Sequence, residues 1–374
     1  MYALNNCSLF NGEFFEENKA IVIDGERIHS VVNCEDIGSI DSVDLDGALC
    51  VPGFIDLQVN GGGGLLFNDS PTKSAIDEIY KSHRRFGTTS ICPTFITDSC
   101  EKLKSAIGAV SACDSEKIPA VHIEGFSISR EKSGIHDKRF IRKFTQEEAR
   151  GILNAASCKK IITLAPEETP ADVVRLLKDG GAVVFGGHSN ASYESFTEFL
   201  ENGGIGATHL YNAMSGMTSR APGVCGAVLD SCSAYAGIIA DGHHVHFACV
   251  RIAKRLMGER LFLVTDAMPP ACSDIEEYVL YGNHITVKSG VCVSDDGVIA
   301  GSCLSMAEAV NNCVRHCEIP LFEALRMASL YPARILSREN NLGRIAHGYF
   351  ANISILSGEL APIGTVVKGD LMRA

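Results

Sequence analysis

The sequence predicts an α/β protein: a closed (β/α)8 barrel of the TIM type, flanked by a small β-sandwich made from both chain ends. Three observations predict it. Eight apolar, β-prone runs between residues 53 and 266 alternate with helical patterns, and eight such units close into a barrel. The first fifty and last thirty residues read as β and are too short to form separate cores. Finally, two consecutive units end alike: Ala182-Val183-Val184-Phe185 leads to His188, and Ile205-Gly206-Ala207-Thr208 leads to His209. Tyr193 to Leu200 lies between them with helical spacing. Strand, helix, strand with a histidine at each strand end puts both imidazoles at one rim.

Taken in order, Ala20-Ile21-Val22-Ile23 and Arg27 to Val32 flank an Asp24-Gly25 turn and predict a hairpin. The eight barrel runs are Gly53–Val59, Thr88–Cys92, Ala120–Glu124, Lys160–Leu164, Ala182–Phe185, Gly206–His209, Ala236–Ala240 and Leu261–Asp266. Glu277 to Ser302 reads as an inserted hairpin with turns at Gly282-Asn283 and Asp296-Gly297. Asn352–Leu356 and Gly364–Asp370 are the final strands. The expected division is 1–50 plus 345–374 for the small β domain and 51–344 for the barrel.

The chain has 374 residues and a net charge of -12, which argues against nucleic acid as the main partner. No run of eighteen apolar residues marks a membrane span, and Met1 to Cys7 lacks the basic start of a signal peptide. The 15 cysteines are scattered through apolar segments, so reduced thiols in a cytoplasmic protein are expected. Cys313 and Cys317, one helical turn apart, read as packing residues.

Polar residues at strand ends are the candidates for chemistry in such a barrel. Here they are Gln58, Asn60, Glu124, His188, His209 and Asp266. A histidine at a strand end is often a hydrogen-bonded structural residue, and a rim glutamate is often salt-bridged. Two imidazoles and one carboxylate together suit zinc or ferrous iron with a position left open. Asp266 facing that position can take a proton from water; its bland alternative is a cap on the following loop.

Pro52 to Gly61, His122-Ile123-Glu124-Gly125, Gly187-His188-Ser189-Asn190-Ala191, Thr208 to Met214 and Ile239 to Val245 closely resemble one branch of the amidohydrolase superfamily. That branch removes the acetyl group of N-acetylglucosamine 6-phosphate. Leu263 to Ala267, Gly301 to Met306 and Met327 to Arg334 extend the match along nearly the whole chain. The resemblance implies that Glu124, His188 and His209 hold one divalent metal, with zinc favoured. It implies Asp266 as general base and then acid, and His136 as the group that polarises the acetamide carbonyl beside the metal. It places Ile135, His136, Asn212, Ala213, His244, Ile299, Ala300 and Gly301 against the substrate. Arg220 would reach the phosphate bound by a neighbouring subunit, so a homodimer or larger homo-oligomer is implied. Spacing alone would leave His136 and Arg220 as surface residues, and it gives His243 and His246 no role.

Three departures stand out. Many superfamily members carry His-x-His after the first strand, whereas this chain has Gln58-Val59-Asn60; amides are poor zinc ligands, so one metal is expected. Phe126 stands where proline is usual, which puts the loop carrying His136 in question. Ala221 stands where an acidic residue is common. The expected activity is deacetylation of N-acetyl-D-glucosamine 6-phosphate to D-glucosamine 6-phosphate and acetate. The galactosamine epimer, another amide or cyclic ureide, and a non-catalytic sugar-phosphate sensor are the alternatives.

Overall fold

Eight strands follow one another around the barrel: Phe54–Val59, Thr88–Ile96, Ala120–Glu124, Lys159–Leu164, Val183–Gly186, Gly206–Ala207, Tyr235–Ile238 and Leu261–Leu263. Each pairs in parallel with the next. This computed structural model describes residues 1–288 and 290–373. The last strand returns to the first just beyond its end. Asp266 N–H donates to the Gln58 carbonyl at 3.0 Å, Asn60 N–H donates to the Ala267 carbonyl at 2.9 Å, and Val59 bridges Ala267. Closure therefore happens at the rim where the strand-end candidates sit.

Several of the helices start where side chains satisfy their free N–H groups. Thr72, Ser99 and Ser192 cap Lys73–Arg84, Cys100–Ser111 and Tyr193–Glu201. Thr145 with Glu148 and Ser305 with Glu308 form reciprocal capping boxes. Amphipathic helices turn an apolar stripe to the barrel, as Val173, Val174 and Leu177 do in Ala171–Asp179. The sixth strand is much shorter than its apolar run suggests. Gly206 has φ +155°, and a Cβ there would lie 1.8 Å from the Tyr235 carbonyl oxygen, so the two backbones meet with no room for a side chain.

Both chain ends enter one separate sheet. Leu49–Pro52 pairs antiparallel with Ile353–Leu356 and parallel with Tyr2–Phe10. Phe15–Asp24 and Arg27–Asn33 extend one side, Pro362–Val367 and Asp370–Arg373 the other. Leu4, Leu9, Ile21, Ile23, Ile353 and Val366 form its own core. The insertion is more than the single hairpin expected. Four antiparallel strands, Glu277–Leu280, Asn283–Lys288, Val291–Ser294 and Ile299–Ser302, make a meander. Leu280, Ile285, Cys292 and Ala300 pack beneath it against Leu66 and Met268. No helix among the described residues is long and apolar enough to cross a membrane. All fifteen cysteines are free thiols.

Candidate metal centre and substrate pocket

Glu124 ends the third barrel strand, and His188 and His209 follow the fifth and sixth. Glu124 Oε1 lies 3.2 Å from His188 Nε2 and 2.9 Å from His209 Nε2, and the two Nε2 atoms are 3.1 Å apart. His188 Nδ1 meets the Lys132 carbonyl at 2.8 Å. A carbonyl only accepts, so Nδ1 carries the hydrogen and Nε2 presents a lone pair. That lone pair faces a carboxylate oxygen, which also only accepts. Ligand atoms of three buried residues thus converge within 4.8 Å of one another, with the His188 lone pair and the Glu124 carboxylate oxygen facing each other. A divalent cation fits this set, and a ring of neutral hydrogen bonds does not satisfy it.

Burial opposes a charged Glu124, yet the imidazoles of His188 and His209 beside it hold its carboxyl well below the usual range. Burial also opposes a charged His209, and the Glu124 carboxylate overrides it and raises the imidazole. His209 Nδ1 is buried without a protein partner.

Two amides, Gln58 in the first strand and Asn60 just past it, bond the carboxylates of Glu124 and Asp266. Gln58 Nε2 donates to Glu124 at 3.1 and 3.2 Å and to Asp266 Oδ1 at 3.0 Å. Asn60 Nδ2 donates to Asp266 Oδ1 at 2.7 Å. Gln58 and Asn60 therefore act as donors here. Burial, then the nearby Glu124 charge, raises the Asp266 carboxyl above the usual range. His136 is almost wholly buried, with its ring 4.4 Å from that of His188. Burial pushes its imidazole down to about 3, so it is neutral.

Backbone strain gathers at this rim. His188, His209, Tyr211, Ala213 and Asp266 all have positive φ, between 31° and 79°. Non-glycine residues rarely adopt that region, and clusters of them mark sites where side chains are held against preference.

A cavity of about 330 Å³ opens over the cluster, within the range of small-molecule sites. Glu124, His136, His188, His209 and Asp266 line it together with Ile135, Asn212, Ala213, His244, Ile299 and Gly301. His244 is oriented by Asp241, whose Oδ2 is 2.6 Å from Nδ1. Two expected residues are absent from the lining. Ala300 is wholly buried in the insertion, because alternation along its strand sends it away from its neighbours Ile299 and Gly301. Arg220 is exposed on the loop before Gly223–Asp230.

Residues not expected from sequence also line the cavity, among them Met268 and Lys132. Lys132 was legible only as a cation four residues before His136. Phe126 has a definite place: it is buried, 4.6 Å from the Phe144 ring, with the Arg142 guanidinium 4.0 Å over its face. Arg142 N–H also donates to the Phe126 carbonyl at 2.9 Å. The aromatic pair and the arginine thus fix both ends of the loop that carries His136.

A model of the amidohydrolase family matches residues 49–372. The chain belongs to the amidohydrolase family. A model described as the NagA composite domain matches residues 1–50, the early strands of the sheet shared with the chain's other end. This amidohydrolase is 37% identical over 375 residues, and 98% of each chain, to the N-acetylglucosamine-6-phosphate deacetylase of Haemophilus influenzae. It is 39% identical to the N-acetylgalactosamine-6-phosphate deacetylase of Shewanella sp. (strain ANA-3), covering 88% of this chain and 84% of the relative. Its fold matches the crystal structure of N-acetylglucosamine-6-phosphate deacetylase from Pasteurella multocida with a TM-score of 0.97, at 36% identity and full coverage of both chains.

Proposed function

We propose that this amidohydrolase hydrolyses the acetamide of N-acetyl-D-glucosamine 6-phosphate, releasing acetate and D-glucosamine 6-phosphate in the breakdown of amino sugars. The observation that carries the proposal is the convergence of three lone-pair donors beside Asp266 and a neutral His136 in one cavity. The named relatives supply the substrate class.

Glu124, His188 and His209 would hold the metal. A divalent ion held there would supply Lewis acidity toward water and the acetamide carbonyl. Zinc is the ion proposed, and the same donors accept ferrous iron. The chain's own groups carry the protons. Asp266 Oδ1 is occupied by Gln58 and Asn60, so Oδ2 takes the proton from the attacking water. The raised carboxyl then delivers that proton to the departing amine nitrogen. Neutral His136 donates an N–H to the carbonyl oxygen as negative charge develops there. Ile135, Asn212, Ala213, His244, Ile299, Ala300 and Gly301 position the sugar phosphate; Ala300 does so through the strand that holds its neighbours. Arg220, exposed on its loop, is assigned to the phosphate in a partner subunit's site, within a homodimer or larger homo-oligomer. Residues 1–50 with 345–374 are taken as the small domain and 51–344 as the catalytic barrel, in a cytoplasmic enzyme.

The galactosamine epimer is the second reading, favoured by the Shewanella relative. The test is acetate release after metal stripping and return of zinc or iron. It compares N-acetylglucosamine 6-phosphate, its galactosamine epimer and unphosphorylated N-acetylglucosamine. Metal-dependent turnover of the first and little of the last is expected. Preference for the epimer would change the substrate, and turnover without metal would remove the assigned centre.

A further inference from the structure

Thr97 stands just past the end of the second barrel strand, and it is nearly fully buried. Its backbone N–H points at His136 Nδ1, 3.4 Å away, and its Oγ1 lies 2.8 Å from the same nitrogen. A backbone N–H can only donate. At 3.4 Å that donor is long and only biases Nδ1 toward offering its lone pair; the hydroxyl, much closer at 2.8 Å, supplies the stronger bond that keeps the ring hydrogen on Nε2. His136 Nε2 makes no protein hydrogen bond among the described residues, while the residue lines the cavity.

We propose that Thr97 is a positioning residue that fixes His136 in the Nε2–H tautomer, so that a hydrogen-bond donor faces the substrate. The inference rests on the proposed deacetylase reading for the identity of the acceptor, but not for the tautomer. With the hydrogen on Nδ1, the imidazole would turn a lone pair toward the carbonyl oxygen, and repulsion would replace stabilisation.

Two neighbours are arranged around this pair. Gly125 follows Glu124 with φ +82°, and a Cβ there would lie 2.7 Å from Thr97 Oγ1 and 3.5 Å from His136 Nδ1. A side chain at that position would wedge into the contact. From the insertion, Tyr281 Oη donates to the Thr97 carbonyl at 3.3 Å. Thr97 is thus held on its far side by a segment that also contributes Ile299 and Gly301 to the cavity.

The test uses Thr97→Val, which keeps the shape and loses the hydroxyl, and Thr97→Ser, which keeps the hydroxyl. In zinc-loaded protein with 15N-labelled histidine, two-bond 1H–15N correlation reads the tautomer, and His136→Gln assigns the signal. Wild type and Thr97→Ser should show His136 as Nε2–H, and Thr97→Val should add the Nδ1–H form. In turnover of the sugar phosphate, Thr97→Val should lower kcat roughly 10- to 100-fold with KM within about two-fold. Thr97→Ser should recover most of the loss. An Nδ1–H signal in wild type would overturn the proposal, as would a Thr97→Val enzyme with unchanged kcat. A loss that serine does not restore would also overturn it. A wild-type protein with the Nε2–H signal but no deacetylation would refute the substrate reading alone.

Discussion

Asp56 is wholly buried in the first barrel strand and points its carboxyl at Thr265. Its Oδ1 accepts from the backbone N–H of Gln58 at 3.2 Å and of Thr265 at 3.3 Å, and its Oδ2 accepts from Thr265 Oγ1 at 2.5 Å. These bonds favour the ionised form, yet burial outweighs them and pushes the carboxyl up to about 7. A folded-state pKa above the unfolded one means that the folded chain holds this proton while the unfolded chain has released it. The resulting stability is fully present below the ordinary carboxylate range and is lost progressively as pH rises to about 7. At about 1.4 kcal/mol for each tenfold change in proton concentration, the span between about pH 5 and pH 7 is worth roughly 3 kcal/mol. Asp56→Asn keeps an acceptor for both backbone N–H groups and cannot ionise. The Thr265 hydroxyl can then turn to the Gln58 carbonyl, 3.5 Å away. The assay is urea unfolding of metal-free protein, wild type against Asp56→Asn, at about pH 5 and about pH 8. Between those conditions wild type should lose roughly 3 kcal/mol relative to the variant. A relative change under about 1 kcal/mol, or one of the opposite sign, would refute the claim that desolvation dominates at Asp56.

Asp266→Asn should keep its metal, measured by elemental analysis, and lose about 100-fold or more in acetate release; near-normal turnover would remove it from the proton-transfer role. Arg220→Ala should raise KM for the phosphorylated sugar and spare the unphosphorylated one. Mixed and reassembled with Asp266→Asn subunits, it should recover about a quarter of wild-type activity, because half the dimers then hold one complete site. No recovery would place Arg220 in its own subunit's site. Phe126→Ala should cost about 3 kcal/mol in urea unfolding by opening a hole against Phe144, and a change under about 1 kcal/mol would mean the loop anchors elsewhere.

The sequence carried the barrel because its signals are local: apolar runs of strand length, helix caps such as Thr145 with Glu148, and polar residues where strands stop. Glu124, His188, His209 and Asp266 were visible for that reason, each ending or following an apolar run. Distances between them were not, since they depend on how the eighth strand returns to Val59. The roles of Gln58 and Asn60 were half legible. Their chemistry excluded good ligands, but only the fold turns them to Asp266 and Glu124. Thr97 looked like any buried threonine, because its importance lies in a contact with a residue 39 positions away. Ala300 is buried rather than in the cavity lining because of strand alternation, of which the motif takes no account, and the insertion's extra strands are hidden by weak turn signals around Gly290.

The sheet that joins the two chain ends has a consequence for synthesis. Leu49–Pro52 needs Ile353–Leu356 beside it, and that partner leaves the ribosome some 300 residues later. At roughly 5–20 residues per second the early strand waits about 15 to 60 seconds. Throughout that interval its unpaired edge is open to other nascent chains. Production of this enzyme should therefore depend on translation speed and on chaperones that shield the first fifty residues, well before any metal is needed.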